Sequence, residues 1–206
     1  WRYHAYDGDG MLHAFRFRNG RVTYRNRWVN TEGLQADRAA GVSLSPGLKQ
    51  KMPDGVLPDD ALKNTSNTDV KFHNGKLLSM WYRGGAVYQV DPLSLETLGQ
   101  LESDPRLKGL QISAHSRVDE RTGEYMFFAY GNTHPYMHYG VLNASGQLQT
   151  LIPVELPGPR LPHDMAITAN YSVLHDFPLI NNPEALKAGR SGIEPKRRPH
   201  TNWLPT

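Results

Sequence analysis

The sequence predicts an all-β protein with the serial organisation of a β-propeller. Three observations support this prediction. Strand-like alternation recurs along the chain, each pair of such segments is joined by a short polar turn, and helical periodicity is almost absent. Each predicted strand pairs with its sequence neighbour, with no long crossover, which favours a propeller. A sandwich and a barrel are the alternatives.

The two clearest hairpins contain an Asn-Gly turn. Asn19-Gly20 separates predicted strands at 15–18 and 21–24, and Asn74-Gly75 separates strands at 70–73 and 76–81. Asn and Gly reach the positive φ angles that a tight hairpin requires. Four further hairpins are predicted from their turn residues, with strand pairs at 88–91 and 93–98, 116–119 and 125–130, 139–142 and 148–156, and 164–167 and 171–174.

Two segments depart from the hairpin pattern because they are rich in Gly and Pro. Residues 31–62 are interpreted as a long loop excursion over one propeller face that could include one helical turn. A loop of that length inside a compact fold is usually functional or mobile. Residues 181–206 are interpreted as a second Pro/Gly-rich loop, with a short helix predicted at 183–188. Neither segment indicates a domain boundary, so the chain is predicted to form one domain, 1–206.

Composition excludes several classes of site and partner. The 206 residues include no cysteine, so disulfides, a thiolate nucleophile and sulfur-ligated metal sites are excluded, and any metal must be held by nitrogen and oxygen. The net charge is +3 and the only basic cluster, residues 196–198, is interpreted as a solvated loop, so no nucleic-acid partner is expected. No apolar run approaches the roughly 20 residues of a membrane-spanning helix. The chain begins at Trp1 without a leader, which we interpret as processing or as a piece of a longer protein.

Histidines are the main candidates for chemistry. His115 and His163 each follow a turn at the start of a predicted strand. Because first strands of propeller blades converge on the central axis, two imidazoles from adjacent blades could meet a metal there. The spacing alone is a weak signal. The other seven are interpreted as structural or surface residues; they are His4, His13, His73, His134, His138, His175 and His200.

Neither the pair His134 and His138 nor His200 lies in a context typical of metal ligands. His134 and His138 are four residues apart, but Pro135 and the aromatic neighbours argue against a helix that would bring them together. His200 lies in the Pro-rich tail without a nearby partner. We therefore do not predict a metal site at either position.

Several motifs resemble the carotenoid cleavage oxygenases, a family that includes carotenoid, apocarotenoid and stilbene dioxygenases and the retinoid isomerase of the visual cycle. Residues 6–17 contain Asp-Gly-Asp-Gly-Met, which is similar to a signature near the start of that family. Residues 90–99 resemble its Asp-Pro-x-Thr-Leu-Glu-Thr segment. Residues 113–119 and 162–179 resemble its first two iron-ligand segments. The matches follow the family order over nearly the whole chain.

The resemblance implies a seven-bladed β-propeller of which this chain supplies only the first several blades, as a single partial domain. It also implies a non-haem Fe(2+) on the axis, bound by four histidines. His115 and His163 match the first and second ligands, whereas the third and fourth are expected beyond Thr206. His200 does not lie in a ligand-like segment. We therefore expect the isolated chain to be inactive and prone to aggregation.

One departure from the family pattern concerns a carboxylate. The family usually places a glutamate just after the strand at 76–81, where it orients one iron-ligating imidazole. Here residues 81–88 read Trp-Tyr-Arg-Gly-Gly-Ala-Val-Tyr and contain no acid. Either a water or a main-chain carbonyl takes that role, or this subgroup tunes its iron differently.

The resemblance further implies cleavage of a carbon–carbon double bond of a conjugated, mostly apolar substrate by O2, which gives two carbonyl products. We expect a cytoplasmic enzyme that contacts a membrane peripherally, with the apolar residues of 42–62 as the hypothetical contact. Aromatic residues could line a substrate tunnel, although packing is the favoured interpretation for each; they are Trp81, Phe127, Phe128, Tyr136 and Tyr139.

The sequence leaves three alternative functions open. A metal-free propeller that binds a protein or a glycan would use the same hairpins and require nothing of His115 or His163. A propeller hydrolase would hold Ca²⁺ through carboxylates and amides. Isomerohydrolase chemistry on the same iron is the third. The residues around the two histidines favour the dioxygenase.

Overall fold

The computed structural model describes residues 4–50, 61–176, 179–182, 184–185, 188 and 193–195. These residues are organised almost entirely in strands. The first part contains β1 (Met11–Arg18), β2 (Arg21–Trp28), helix α1 (Glu32–Ala40), β3 (Asp69–His73), β4 (Lys76–Met80), β5 (Tyr88–Val90) and β6 (Thr97–Gln100). After a 3-10 turn (Pro105–Leu107) follow β7 (Arg117–Val118), β8 (Tyr125–Tyr130), β9 (Tyr136–Leu142), β10 (Leu148–Glu155), β11 (Ala166–Ile167), β12 (Ser172–Val173), β13 (Leu179–Asn181) and β14 (Ile193–Pro195).

All six hairpins predicted from the sequence are present. The two Asn-Gly turns join β1 to β2 and β3 to β4, and Asn19 and Asn74 have positive φ angles of 50° and 46°. Three strand bounds differ from the prediction by four residues: β1 begins at Met11, β2 ends at Trp28, and β6 begins at Thr97 and not at residue 93. The late start of β6 is caused by Asp91, because its carboxylate accepts hydrogen bonds from the amides of Leu93 and Ser94 and holds them in a turn.

The sheets follow one another along the chain. Strands β3-β4-β5-β6 form one four-stranded antiparallel sheet and β7-β8-β9-β10 form a second, and in both the spatial order equals the chain order. Two-stranded sheets precede and follow them: β1-β2, β11-β12 and β13-β14. Short antiparallel sheets in series are the blades of a β-propeller. The all-β prediction is therefore confirmed.

The first strands of the two complete sheets lie next to each other. Strand β3 contacts β7, and Ile112 forms bridges to Gly85, between β4 and β5, and to Ala129 of β8. The turns at the other end of β3 also touch the second sheet, since the His73 ring nitrogen Nε2 lies 3.0 Å from the carbonyl oxygen of Asn143. Neighbouring blades are thus tied at both ends of β3.

The core is divided between the two faces of β8. Tyr125, Phe127 and Ala129 pack with Leu78 and Met80 of the preceding sheet. The alternate residues of β8, which are Met126, Phe128 and Tyr130, face the next sheet. They form a second cluster with Met137, Leu161 and Met165. Because side chains alternate along a strand, a strand that is buried on both faces joins two cores.

The segment 31–62 requires a correction. The sequence predicted a loop that could include one helical turn, but Glu32–Ala40 form the nine-residue helix α1. Thr31 caps its first turn, since its hydroxyl accepts a hydrogen bond from the Leu34 amide at 3.1 Å, and Gly41 ends it with a φ of 70°. Helical spacing was hard to recognise because Leu34 is the only buried residue of the helix.

The interpretation of 181–206 as a loop is also wrong in part. Strand β13 pairs with β14 in this segment. Residues 184–185 are helical, and the Ala188 amide donates a hydrogen bond to the carbonyl of Glu184 at 3.0 Å, within the predicted helix at 183–188. Residues 196–206, with the basic cluster and His200, lie outside the described residues, as do residues 51–60 of the long loop. No helix of the described chain has the length and apolar character needed to cross a membrane.

Candidate metal centre

Three consecutive sheets present a polar side chain at equivalent places. Asp69 is the first residue of β3, His115 lies two residues before β7, and His163 lies three residues before β11. Each of these strands is the first of its sheet. The starts of three first strands therefore converge, as the sequence predicted for the two histidines.

The imidazole rings of His115 and His163 face each other. Their centroids are 4.6 Å apart and their planes are inclined at 58°. His115 is partly buried and His163 is exposed. Two rings that are close but not stacked can turn their nitrogen lone pairs toward one point, so the donor set suits a metal that accepts imidazole.

Electrostatics favour a neutral His163. The surrounding protein shields one side of this otherwise exposed ring from water, which lowers the pKa of its imidazole below the usual value. The neighbouring His115 and, to a smaller extent, His175 lower it further, while Asp164 acts in the opposite direction. A neutral imidazole is the form that binds a metal, because the proton and the metal compete for the same lone pair.

Arg117 links the two histidine segments. One nitrogen of its guanidinium group, Nη1, donates hydrogen bonds to the carbonyl oxygens of His115 at 3.3 Å and Ser116 at 3.0 Å. The other, Nη2, donates to Asp164 Oδ1 at 2.7 Å. Asp164 follows His163 directly in the chain, so the planar guanidinium group connects the backbone at one histidine to the neighbour of the other.

Buried contacts anchor the backbone beneath His115. Ser113, Ala114 and Ser116 are fully buried. The amide of Ser113 donates to the Phe128 carbonyl at 2.9 Å, and the Ser116 hydroxyl lies 3.4 Å from the sulfur atom of Met80. The segment is therefore held by the cores on both sides, and the histidine projects from a fixed backbone.

The structure also brings a carboxylate to His115, which sequence reasoning missed. Asp69 Oδ2 is 4.0 Å from His115 Nδ1. The available signal for Asp69 was its position at the start of β3, because the two histidines also lie at the starts of strands. In the described chain, no group of three or more His, Asp or Glu side chains has a geometry that could hold a metal.

The remaining described histidines lie in other surroundings. His13 Nδ1 is 2.6 Å from the Tyr24 hydroxyl on the exposed β1–β2 hairpin. His134 Nε2 is 2.7 Å from Glu155 Oε2 at the surface. His73 is buried on β3. His175 belongs near the site instead, because it is close enough to lower the pKa of His163.

The segment after β4 bends sharply and approaches the next sheet. The Tyr82 amide donates to the Thr68 hydroxyl at 3.0 Å. Gly84 has a φ of 82°, and a Cβ there would lie 2.5 Å from the carbonyl oxygen of Gln111. The glycine is thus required by backbone conformation and by space. The segment offers no carboxylate, so any such partner for the histidines must come from elsewhere.

The Asp-Gly-Asp-Gly-Met motif has a structural role. Lys63 Nζ lies 2.9 Å from the Asp9 carboxylate and 2.7 Å from that of Asp37 on α1. The Gly10 amide donates to the Thr65 carbonyl at 2.8 Å, and a Cβ at Gly10 would lie 2.2 Å from the oxygen of Ser66. The motif joins the amino-terminal hairpin to the helix and to the segment that leads into β3.

The aromatic candidates for a substrate tunnel divide into two groups. Phe127 and Phe128 are fully buried in the two cores and serve packing. Trp81 is also buried but borders a cavity of about 410 Å³ next to Asp9 and Lys63. Tyr136 and Tyr139 are partly exposed. The Tyr139 hydroxyl lies 2.6 Å from that of Ser172 and joins β9 to β12.

The sheets follow one another along the chain, and two histidines meet near the starts of adjacent first strands. These features place the protein in the class of β-propeller proteins, with a candidate histidine metal centre. The family model described as RPE65, retinal pigment epithelial membrane protein, matches residues 1–204. The chain belongs to this family, the carotenoid cleavage oxygenases.

Individual relatives agree with this assignment. The chain is 33% identical over 237 residues to a carotenoid 9,10(9',10')-cleavage dioxygenase of Phaseolus vulgaris, and the alignment covers 98% of this chain and 43% of the relative. A crystal structure of Pseudomonas brassicacearum lignostilbene dioxygenase matches with 31% identity and a TM-score of 0.78, covering 92% of this chain and 40% of that one. The structure of cobalt-substituted Synechocystis apocarotenoid oxygenase matches with 27% identity and a TM-score of 0.77, and the match covers 94% of this chain and 44% of that one.

The coverage is asymmetric. Nearly all of this chain is matched, but the chain spans only 38–43% of the length of the first curated relatives. The solved structures contain more of the propeller than these residues supply. The fold is therefore a partial β-propeller, as predicted.

Proposed function

We propose that this chain forms part of a non-haem Fe(II) dioxygenase that cleaves a carbon–carbon double bond of a carotenoid, apocarotenoid or stilbene-like substrate with O2, giving two carbonyl products. The observation that carries the proposal is the meeting of His115 and His163 from consecutive sheets, with ring centroids 4.6 Å apart. The activities of the related carotenoid and lignostilbene dioxygenases support the substrate class, and the match to a cobalt-substituted oxygenase supports a metal centre.

The residues present fit an iron ion. Imidazole is a good ligand for iron, and the lowered pKa of His163 keeps a lone pair available near neutral pH. His115 and His163 would supply two of the ligands, and the others would come from chain beyond this sequence. Bound iron would supply the redox chemistry that activates dioxygen.

The protein's own contribution is placement. Arg117 fixes the relative position of the two histidine segments through its hydrogen bonds to His115 and Asp164. Because Ser113 and Ala114 are fully buried, the protein core holds the backbone before His115 in place. No side chain is required as a general acid or base, because the reaction inserts oxygen into a double bond. The choice of double bond would then depend on how an apolar channel holds the substrate.

Peripheral membrane contact is proposed because a polyene substrate partitions into lipid. In the described part of the long segment, Val42 and Leu44 are about 60% exposed. Leu48, which belongs to the same proposed contact, is partly buried, and Met52, Val56 and Leu57 lie outside the described residues. Unchanged liposome binding after Val42→Ser and Leu44→Ser in the full-length protein would remove this part of the proposal.

The metal proposal is tested by substitution in the full-length protein. We expect His115→Ala and His163→Ala each to lose most of the bound iron, measured by mass spectrometry of the purified protein. His134→Ala is the control, because His134 is exposed and paired with Glu155 away from the site, and it should keep its iron. Full iron content in either of the first two variants would contradict the proposal. Bound calcium in place of iron would favour the hydrolase alternative.

A further inference from the structure

Asp69 brings a carboxylate close to the His115 ring. It begins β3, the first strand of the sheet that precedes His115, and its side chain is about 25% exposed, as is that of His115. The carboxylate thus approaches the histidine site from the first strand of the neighbouring sheet.

The Asp69 carboxylate is fixed on several sides. Its Oδ1 accepts a hydrogen bond from the Val70 amide at 2.7 Å. Its Oδ2 forms an ion pair with Lys71 Nζ at 2.7 Å and lies 4.0 Å from His115 Nδ1. A carboxylate that is held by a backbone amide and an ammonium group has little freedom to turn away from the imidazole.

The orientation of the imidazole decides which nitrogen can bind a metal. Because Nδ1 of His115 faces Asp69, a proton on Nδ1 is favoured by the negative charge, and the lone pair is left on Nε2. The separation of 4.0 Å is too long for a direct hydrogen bond, so the carboxylate acts through its charge or through one bridging water. Carboxylate partners of this kind set the tautomer and the orientation of metal-binding histidines.

We propose that Asp69 is a positioning residue for His115, because its carboxylate faces the ring nitrogen Nδ1 of that histidine from the start of β3. This inference rests on the proposed function, since it assigns Asp69 a role in the same metal centre. Lys71 forms an ion pair with the same carboxylate oxygen and neutralises part of its negative charge. It therefore weakens the effect of Asp69 on the His115 imidazole.

The alternative is a purely structural ion pair between Asp69 and Lys71. The two interpretations differ in the direction of the expected effects. If Asp69 positions His115, removal of the carboxylate weakens metal binding, whereas removal of Lys71 strengthens it, because the full negative charge then acts on the imidazole. If the pair is structural, both removals act in the same direction.

The test is a Co²⁺ titration of the full-length, metal-free protein, with the dissociation constant and the visible absorption of bound Co²⁺ as readouts. We expect Asp69→Asn to raise the dissociation constant about 10-fold and to shift the absorption bands. Lys71→Met should lower the dissociation constant. Glu96→Gln is the matched control, since it breaks an exposed ion pair with Arg27 elsewhere, and it should change neither readout.

Each outcome decides the inference. An unchanged dissociation constant and spectrum for Asp69→Asn, with normal binding by the unsubstituted protein, overturns the role of Asp69 and leaves the proposed function standing. Changes in the same direction for Asp69→Asn and Lys71→Met also overturn it. Failure of the unsubstituted protein to bind Co²⁺ overturns both proposals. If Asp69→Asn does not fold, Lys71→Met decides alone, because weaker or equal binding contradicts the inference.

Discussion

Single residues in this protein show how burial controls the charge of an imidazole. His73 is the one buried histidine of the described chain, with 4% of its surface exposed. Burial lowers the pKa of its imidazole, and the Asn143 and Gly123 carbonyls offset only part of that effect. His73 also connects two blades through its contact with Asn143, so its protonation state bears on how the blades pack.

The His73 environment predicts a pH dependence of stability. Because the folded pKa is lowered, the unfolded chain binds a proton below about pH 6.5 that the folded chain does not yet bind. We expect the thermal midpoint of the full-length protein to fall as the pH is lowered from about 7.5 to about 5.5. His73→Gln, which keeps a donor toward Asn143, should make this fall smaller. An identical fall in both proteins would contradict the assignment.

Two candidate ligands could be selected from the sequence. His115 and His163 each follow a turn at the start of a predicted strand and lie in segments that resemble family motifs, and their role as metal ligands stays a prediction. Asp69 and Arg117 could not be selected, because their significance depends on contacts between β3, β7 and the segment before β11. Such contacts exist only after the sheets have packed, and nothing in the local sequence encodes them.

At the scale of elements, hairpins were predictable and the helix was not. Asn-Gly turns impose a backbone conformation by themselves, so β1–β2 and β3–β4 follow directly from the sequence. Helix α1 buries one residue and is held instead by its caps and by the ion pair between Asp37 and Lys63. Thr31 and Gly41 were the available signals for its ends.

The ion-pair cluster at α1 predicts a large effect on stability. Lys63 neutralises Asp9 and Asp37, all three being mostly buried. Burial alone would lower the Lys63 pKa, but its hydrogen bonds to the two carboxylates outweigh that effect and raise it, while the Asp37 pKa is lowered. We expect Lys63→Met to cost about 3 kcal/mol, seen as a lower thermal midpoint, because two buried carboxylates lose their partner.

An exposed ion pair provides the control for this prediction. Arg27 and Glu96 are separated by 3.4 Å and both are largely solvent-exposed. Arg27→Gln should leave the midpoint nearly unchanged, because exposed pairs contribute little. Equal effects of the two substitutions would mean that the cluster at α1 does not stabilise the fold.

At the scale of the whole molecule, the β1–β2 hairpin has one apolar face without a partner among the described residues. Phe15, Phe17 and Tyr24 lie on this face and are 62%, 76% and 53% exposed. The opposite face packs on the first complete sheet through Leu12 and Ala14. Exposed apolar faces and free sheet edges promote association.

The exposed face predicts the behaviour of residues 1–206 expressed alone. We expect this chain to aggregate and to retain little iron, since only two candidate ligands are present in the described residues. Size-exclusion chromatography and metal analysis provide the measurement, and Phe15→Ser with Phe17→Ser should reduce the aggregation. A monodisperse monomer with stoichiometric iron would contradict this expectation.

The architecture was predictable because each blade is local in sequence. Strands β3 to β6 and β7 to β10 pair in chain order, so turn residues alone suggested serial sheets. The packing of one sheet on the next was not predictable in detail, since it depends on how the two faces of β8 divide their side chains between two cores.

The most direct measurement is anomalous diffraction at the iron absorption edge from crystals of the full-length protein. We expect one strong peak within bonding distance of the imidazole rings of both His115 and His163. A peak at any other place, or two histidine rings with no metal between them in an iron-loaded and active protein, would contradict the proposed iron centre.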